Sequence, residues 1–212
     1  MKNKEFIDLY AYENQLYSEG YSYIGGTDEA GRGPLYGPVV AACCVLPKNF
    51  VLEGLNDSKQ LSEKKRNNYI NYIKENALAY GIGIVSAEEI DEINIYEASR
   101  KAMMIAIEEV KKKIDIDYVL TDAMPLPNLD LPHLPIIKGD AKSITIAAAS
   151  VIAKVTRDDM LYDIDKKFPE YGFAKHKGYP TKAHIEAINK YGLIEGYRKS
   201  YGPVRDILER KI

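Results

Sequence analysis

Apolar positions along this chain change their period several times, and each change marks a new element. Residues 5–20, "EFIDLYAYENQLYSEG", carry apolar side chains at helical spacing and predict a short amphipathic helix. "YSYIGGTD" and "YGPVVAACCVL" are β-rich runs joined by a glycine-rich turn, which predicts a hairpin-like pair of strands. Ser62 stands where it can cap a charged helix, "EKKRNNYINYIKENA", and "LAYGIGIVS" follows as a third strand. "IYEASRKAMMIAIEEVKKKI" is the clearest helix, apolar on one face and ending in lysines that suit its C-terminal dipole. Two short apolar runs, "YVLTDA" and "LPIIKGD", then flank the proline-rich loop "MPLPNLDLP". From "SITIAAASVIAKV" onward the pattern is helical, interrupted by "PEYGFAKHKGYPT". Strands that come first and then alternate with helices predict an α/β fold, a mixed sheet packed by helices. No repeat or interdomain linker stands out, so the chain reads as a single domain over 1–212. Its core would span about 1–166, and about 167–212 would form a helical C-terminal part.

Composition narrows the classes. At 212 residues, 46% hydrophobic and 28% charged, the chain can bury a sizeable core. No uncharged apolar run reaches the length of a membrane span, and the charged N-terminus is unlike a secretory signal. The only cysteines, Cys43 and Cys44, are adjacent in an apolar run. They read as buried small hydrophobes in a reducing cytoplasm, not as a disulfide framework. The net charge of −2 conceals a gradient: 14 basic and 21 acidic residues in 1–135, against 15 basic and 10 acidic in 136–212. The second part can therefore present a basic face.

Familiar catalytic motifs are missing. There is no P-loop, no G-x-S-x-G elbow, and no metal-ligand spacing among His133, His176 and His184. Gly31, Gly33 and Gly37 miss the dinucleotide fingerprint by one position, and Pro34 sits where a phosphate-gripping helix would begin. What the sequence does offer is acids at strand ends: Asp28 and Glu29, then Asp122 after "YVLT", then Asp140 after "PIIKG". Each has a structural alternative. Asp140 can cap the following helix, Asp122 can open a turn, and Glu29 can simply be solvated. Together they point to one crevice, because strand ends in an open α/β sheet converge. Two like charges ~4 Å apart repel by about 4 kcal/mol at an effective dielectric near 20. Such a cluster calls for protons or a cation, and a set of hard oxygen ligands favours magnesium or manganese. Carboxylate-held metals suit in-line displacement at phosphorus.

The glycines point to the substrate. Backbone N–H groups around Gly31 and Gly33 can approach a sugar or phosphate closely, with Arg32 as a neighbouring cation. The alternative is a tight hairpin turn with a surface arginine. Lys175, His176, Lys177 and Tyr179 share one glycine- and proline-bearing loop, a composition suited to a nucleic-acid backbone and to a plain solvated loop alike.

Four segments taken in order, "GTDEAGRGPLYGPVVAA", "LNDSKQLSEKKR", "KGDAKSITIAAASVIAKVTRD" and "YGFAKHKGYPTKAH", resemble the bacterial ribonuclease HII family. The resemblance runs from about residue 21 to 201 and implies a ribonuclease H-like fold, a mixed sheet flanked by helices with a C-terminal helical extension. It implies endonucleolytic cleavage of RNA in RNA–DNA hybrids and 5′ of single ribonucleotides in duplex DNA, leaving a 3′-hydroxyl and a 5′-phosphate. It also implies a Mn2+ or Mg2+ cofactor, a monomer, and a place in ribonucleotide excision during DNA replication and repair. By the same resemblance Asp28, Glu29, Asp122 and Asp140 would be the catalytic metal ligands. Gly31, Arg32 and Gly33 would sense the ribose, Tyr179 the junction, and the run from Asp57 to Lys59 would contact phosphate; Lys177, with Lys175, is expected to contact substrate from the basic character of its own loop. Arg157 and Asp158 would form a supporting pair. Two departures stand out: Ala123 where the family usually has glycine, and "YRKSY" at Tyr197–Tyr201 where it has H-R-x-S-F. A four-acid 3′ exonuclease is the alternative, and it would digest from ends without regard to ribose.

Overall fold

A computed structural model of the chain describes residues 8–55, 58 and 61–210. Helix α1 (Ala11–Ser18) precedes the hairpin of β1 (Ile24–Ala30) and β2 (Val39–Val45). The first residues of the helix predicted over 5–20 lie outside the described residues. Helix α2 (Glu63–Asn76) leads into β3 (Ala79–Val85), which is followed by α3 (Ala87–Ile93) and α4 (Ile95–Lys111). Strands β4 (Tyr118–Asp122) and β5 (His133–Ile136) come next, then α5 (Ile144–Lys167). The C-terminal part holds the single turn α6 (Phe173–His176), α7 (Lys182–Tyr191) and α8 (Gly202–Glu209).

The five strands form one mixed sheet in the order β3-β2-β1-β4-β5. β1 pairs antiparallel with β2 and parallel with β4, and β4 is parallel to β5. The α/β expectation therefore holds, with helices on both faces. On one face α4 buries Ala98, Ala102, Met103, Ala106, Ile107 and Val110 against Ala41, Cys43 and Val45. On the other, α5 packs its alanine-rich stretch Ala147–Ala149 against Ala42 and Cys44. Small residues let α5 lie unusually close to the sheet. A Cβ on Gly26 would fall 2.2 Å from the Thr145 carbonyl carbon, so only glycine fits that position in β1. A third apolar cluster joins Leu35 and Tyr36 to Phe173, Ile188, Tyr197 and Val204. It welds the C-terminal helices to the loop after β1.

Local capping explains most of the boundaries. Ser62 accepts from the Lys65 N–H, as its position predicts. The cap of α5 is Ser143, which accepts from Ile146, and not Asp140, whose position also allowed that role. α3 does not stand out in the apolar pattern. It is separated from α4 by Asn94, whose φ of 71° breaks the helix while its side chain accepts from Tyr96 and Glu97. Glu13 of α1 is buried and ties that helix to the start of α5. Its Oε1 accepts from the Ser143 hydroxyl at 2.6 Å and from the Thr145 hydroxyl and N–H at 2.7 and 3.1 Å. Among the described residues no helix is long and apolar enough to cross a membrane.

Candidate active site

Parallel pairing sets the acids level with one another. Thr27 of β1 is in register with Thr121 of β4, so Asp28 and Asp122 leave adjacent strands at the same height. Asp122 is itself opposite Ile136, the last residue of β5, and the chain then folds into a 3-10 turn, Gly139–Ala141, that carries Asp140. Carboxylate oxygens of Asp28, Asp122 and Asp140 all lie within 4.8 Å of one another. Asp28 and Asp140 are only 3% and 5% exposed. Among the described residues neither histidine nor cysteine joins them. The donor set is therefore hard and anionic, and a magnesium- or manganese-class ion fits it.

The turns that hold these acids are strained. Ala123 (φ 53°) and Lys138 (φ 57°) both adopt left-handed backbone, which costs a non-glycine residue about 1–2 kcal/mol. Between them the Gly139 N–H donates to Asp122 Oδ1 at 2.7 Å and locks the two turns together. Strain of this kind persists only where surrounding structure over-determines it. The Ala123 departure thus occupies a backbone conformation that glycine would take at no steric cost.

Next to the acids is a pocket of about 120 Å³ lined by Glu29, Gly31, Arg32, Gly33, Ser58, Lys154 and Tyr179. Glu29 follows Asp28 at the end of β1, with its Oε1 3.4 Å from Arg32 Nη1. Arg32 and Tyr179 are exposed, and a Cβ on Gly33 would stand 3.3 Å from Tyr179 Cε1. The glycine turn and the tyrosine thus meet as adjoining walls of one pocket. Ser58 is pinned from below by the Ser150 hydroxyl at 2.7 Å. Its neighbours Asp57 and Lys59 lie outside the described residues.

Two buried arginines fix the turn. Arg157 of α5 donates to the carbonyls of Pro38, Lys177 and Tyr36 at 3.1, 3.0 and 3.0 Å. Arg198 donates to those of Gly31, Gly37 and Arg32 at 2.6, 2.9 and 3.0 Å. Arg198 thus draws the Gly31 and Arg32 carbonyls inward while Arg157 braces Tyr36 and Pro38 beyond them, and neither guanidinium loses its charge near neutral pH. Burial first, then the nearby charge of Arg198, pull Arg157 down only to about 10. Asp158 is not the partner of Arg157. It accepts from Lys154 Nζ at 2.6 Å and lies 3.8 Å from Arg66 Nη2, because successive residues on a helix face different directions.

Lys177 is not brought to the pocket. Its side chain is buried, with Nζ 3.5 Å from the centre of the Tyr162 ring and bonded to the Ala174 carbonyl. It enters the site only through its own carbonyl, held by Arg157. Arg198 and Lys154 are the residues that sequence reasoning does not select. "AKVTRD" and "YRKSY" both stand out as motifs, but nothing in spacing tells a buried arginine from a solvated one.

A family model described as ribonuclease HII matches residues 25–201. The chain is 50% identical over 211 residues to a ribonuclease HII of Bacillus cytotoxicus, spanning all of this chain and 80% of that one. It is 52% identical over 210 residues to a ribonuclease HII of Bacillus thuringiensis, spanning 99% of this chain and 80% of that one. Among solved structures, ribonuclease H2 of Pyrococcus horikoshii superposes with a TM-score of 0.74 at 27% identity, over 89% of this chain and 98% of that one.

Proposed function

The chain belongs to the ribonuclease HII family, whose members act as metal-dependent ribonucleases H on RNA–DNA hybrids, and we propose that this protein also cuts 5′ of single ribonucleotides embedded in duplex DNA. The observation that carries the reading is adjacency. The three clustered aspartates and the pocket walled by Gly31–Gly33 and Tyr179 meet at the end of β1, where Asp28 and Glu29 are consecutive. Recognition of the 2′-hydroxyl, the group that separates RNA from DNA, would thus be coupled directly to chemistry.

Asp28, Asp122 and Asp140, with Glu29 beside them, would hold Mn2+ or Mg2+. The ion, when bound, supplies charge neutralisation at the phosphate and a lowered pKa for water. The protein's own groups do the rest. The Gly31–Gly33 backbone seats the ribose, and Tyr179 packs against the next sugar. Water adds to phosphorus in line with the departing 3′-oxygen of the upstream nucleotide. The P–O3′ bond breaks, that oxygen takes a proton, and the ribonucleotide keeps a 5′-phosphate. The substrate is RNA–DNA hybrid or ribonucleotide-containing duplex DNA, acted on by a monomer in the cytoplasm during replication and repair.

The test is a labelled, closed DNA duplex containing one ribonucleotide. One cut 5′ of the ribonucleotide with a 3′-hydroxyl product is expected in Mn2+ or Mg2+, and none in chelator. No cut in the closed duplex while an open one is digested from its ends, or equal cutting of an all-DNA duplex, would overturn the reading.

A further inference from the structure

Tyr179 and the glycine turn belong to distant parts of the chain, so something must set the distance between them. The Leu35 N–H bonds the Gly178 carbonyl at 2.8 Å and Arg157 bridges Tyr36 to Lys177, and beside these links one dipeptide reaches both the turn and Tyr179. Tyr197 pairs with Tyr36 in an antiparallel bridge, and in such extended backbone consecutive side chains point opposite ways. Arg198 sends its guanidinium to the Gly31 and Arg32 carbonyls at 2.6 and 3.0 Å. Tyr197 sends its hydroxyl to His184 Nε2 at 2.8 Å, and His184 Nδ1 lies 2.9 Å from the Tyr179 carbonyl.

The proton positions along this path follow from elementary bonding. A carbonyl only accepts, so Nδ1 of His184 must carry the proton given to Tyr179. Nε2 is then a lone pair and accepts from the Tyr197 hydroxyl. The carbonyl thus fixes the tautomer, and the Tyr197 hydroxyl, donating to Nε2, holds the ring in the orientation that anchors Tyr179. His176, stacked on His184 with ring centres 4.1 Å apart, is fixed in the other tautomer. Its Nδ1 accepts from the Gly178 N–H at 3.1 Å, so Nε2 donates to the Tyr171 carbonyl at 2.8 Å. Both imidazoles are held neutral by burial, which pushes His184 down to about 4 and His176 in the same direction. The dipeptide itself cannot drift. The N–H groups of Lys199 and Ser200 are both held by the Asp91 carboxylate, at 2.7 and 2.9 Å.

We propose that Tyr197 and Arg198 act as one positioning unit that sets the opening between Tyr179 and the Gly31–Gly33 turn, and with it the preference for a ribose followed by deoxyribose. This rests on the reading of Tyr179 and the turn given above. Neither residue touches substrate; Tyr197 works through His184 and Arg198 through the turn.

The experiment is the ratio of kcat/KM on a single embedded ribonucleotide to that on a continuous RNA–DNA hybrid, at fixed salt, with thermal midpoints recorded alongside. Tyr179→Ala tests the underlying reading and should lower the ratio. Tyr197→Phe keeps the ring and loses only the hydroxyl, and should lower the ratio roughly two- to ten-fold, the worth of one hydrogen bond. His184→Asn places an amide donor where Nδ1 was and should largely preserve the ratio. His184→Gln places its amide at the Nε2 end and should lower it. Adding Tyr197→Phe to Tyr179→Ala should lower the ratio no further, since both act on one side chain. If Tyr179→Ala changes the ratio and Tyr197→Phe does not, the positioning role is wrong while the reading of Tyr179 stands. If Tyr179→Ala leaves the ratio unchanged, both fall. Equal behaviour of the Asn and Gln variants also counts against the unit, and the Tyr197→Phe comparison decides alone should a histidine variant fail to fold.

Discussion

The guanidinium of Arg157 lies so close against Gly31 that a Cβ there would stand 2.2 Å from Nε and 2.5 Å from Cδ. Gly31 also has a φ of +101°, which disfavours any side chain. Gly31→Ala should therefore destabilise the fold by at least about 2 kcal/mol, from left-handed strain plus displacement of a buried, fully bonded arginine. Gly33→Ala meets only the edge of Tyr179 at 3.3 Å, with no positive φ. It should cost little stability and act on substrate selection. Denaturant melts of the two variants, paired with cleavage of a single-ribonucleotide duplex, check the contrast. Equal stability loss in both would refute it.

Asp28→Asn, Asp122→Asn and Asp140→Asn should each lower turnover by orders of magnitude. In metal-free protein the same changes should leave the melting temperature unchanged or raised, because repulsion among oxygens within 4.8 Å is relieved. In Asp122→Asn the amide oxygen can still accept from the Gly139 N–H, so the bond between the two turns survives. Adding Mn2+ should raise the wild-type melting temperature and do so less in the variants. A marked loss of stability in metal-free Asp28→Asn would mean that these acids are structural.

The two lysines of the "FAKHKGY" loop should separate. Lys175 is exposed and Lys177 is buried over Tyr162. If Lys175 meets a phosphate, Lys175→Ala should flatten the slope of log affinity against log salt by about 0.9. Lys177→Ala should leave that slope alone and instead cost stability, through lost packing on the Tyr162 ring. Salt titrations of hybrid binding and thermal melts together decide; a flattened slope for Lys177→Ala would restore it as a contact.

Acid should destabilise the protein through His184. Its unfolded pKa is near 6.5 and its folded value about 4, so the unfolded chain binds more protons between them. Stability from this source is complete above about pH 6.5 and is lost as pH falls toward 4, on the order of 3 kcal/mol in all. Glu13 has the opposite sign. Burial raises its carboxyl above 4.5, so stability is full below that value and declines as pH rises through the raised one. Glu13→Gln keeps the three bonds to Oε1 and should remove that decline. Melts of wild type, His184→Asn and Glu13→Gln from about pH 4 to 8 distinguish the two. A His184→Asn curve identical to wild type on the acid side would refute the first.

The centre of the sheet was legible in the sequence because β2 is buried along its whole length and so reads as the continuous apolar run "VVAACCV". α4 was legible through its helical period. α3 was not, because seven residues with four acids hold too few apolar positions to establish a period. At the site, Asp28, Asp122 and Asp140 stand out as acids ending apolar runs, a signal that survives without three-dimensional information. Burial of charge leaves no such trace. Lys177 reads as a substrate contact and instead caps an aromatic ring, while Arg198, which reads as an ordinary basic residue, holds two carbonyls of the turn and that of Gly37. The first depends on how the loop folds back onto α5, and the second on partners more than 160 positions away.

The bond between Arg198 and Gly31 spans 167 positions, whereas the last of the three clustered aspartates comes at 140. Translation delivers these parts in a fixed order. A nascent chain has all three acids outside the ribosome while the segment that shapes the Gly31–Gly33 turn is still unmade. The anchor of the proposed ribose-sensing turn is thus synthesised after every acid of the cluster, and the two parts can be joined only once Arg198 has been made.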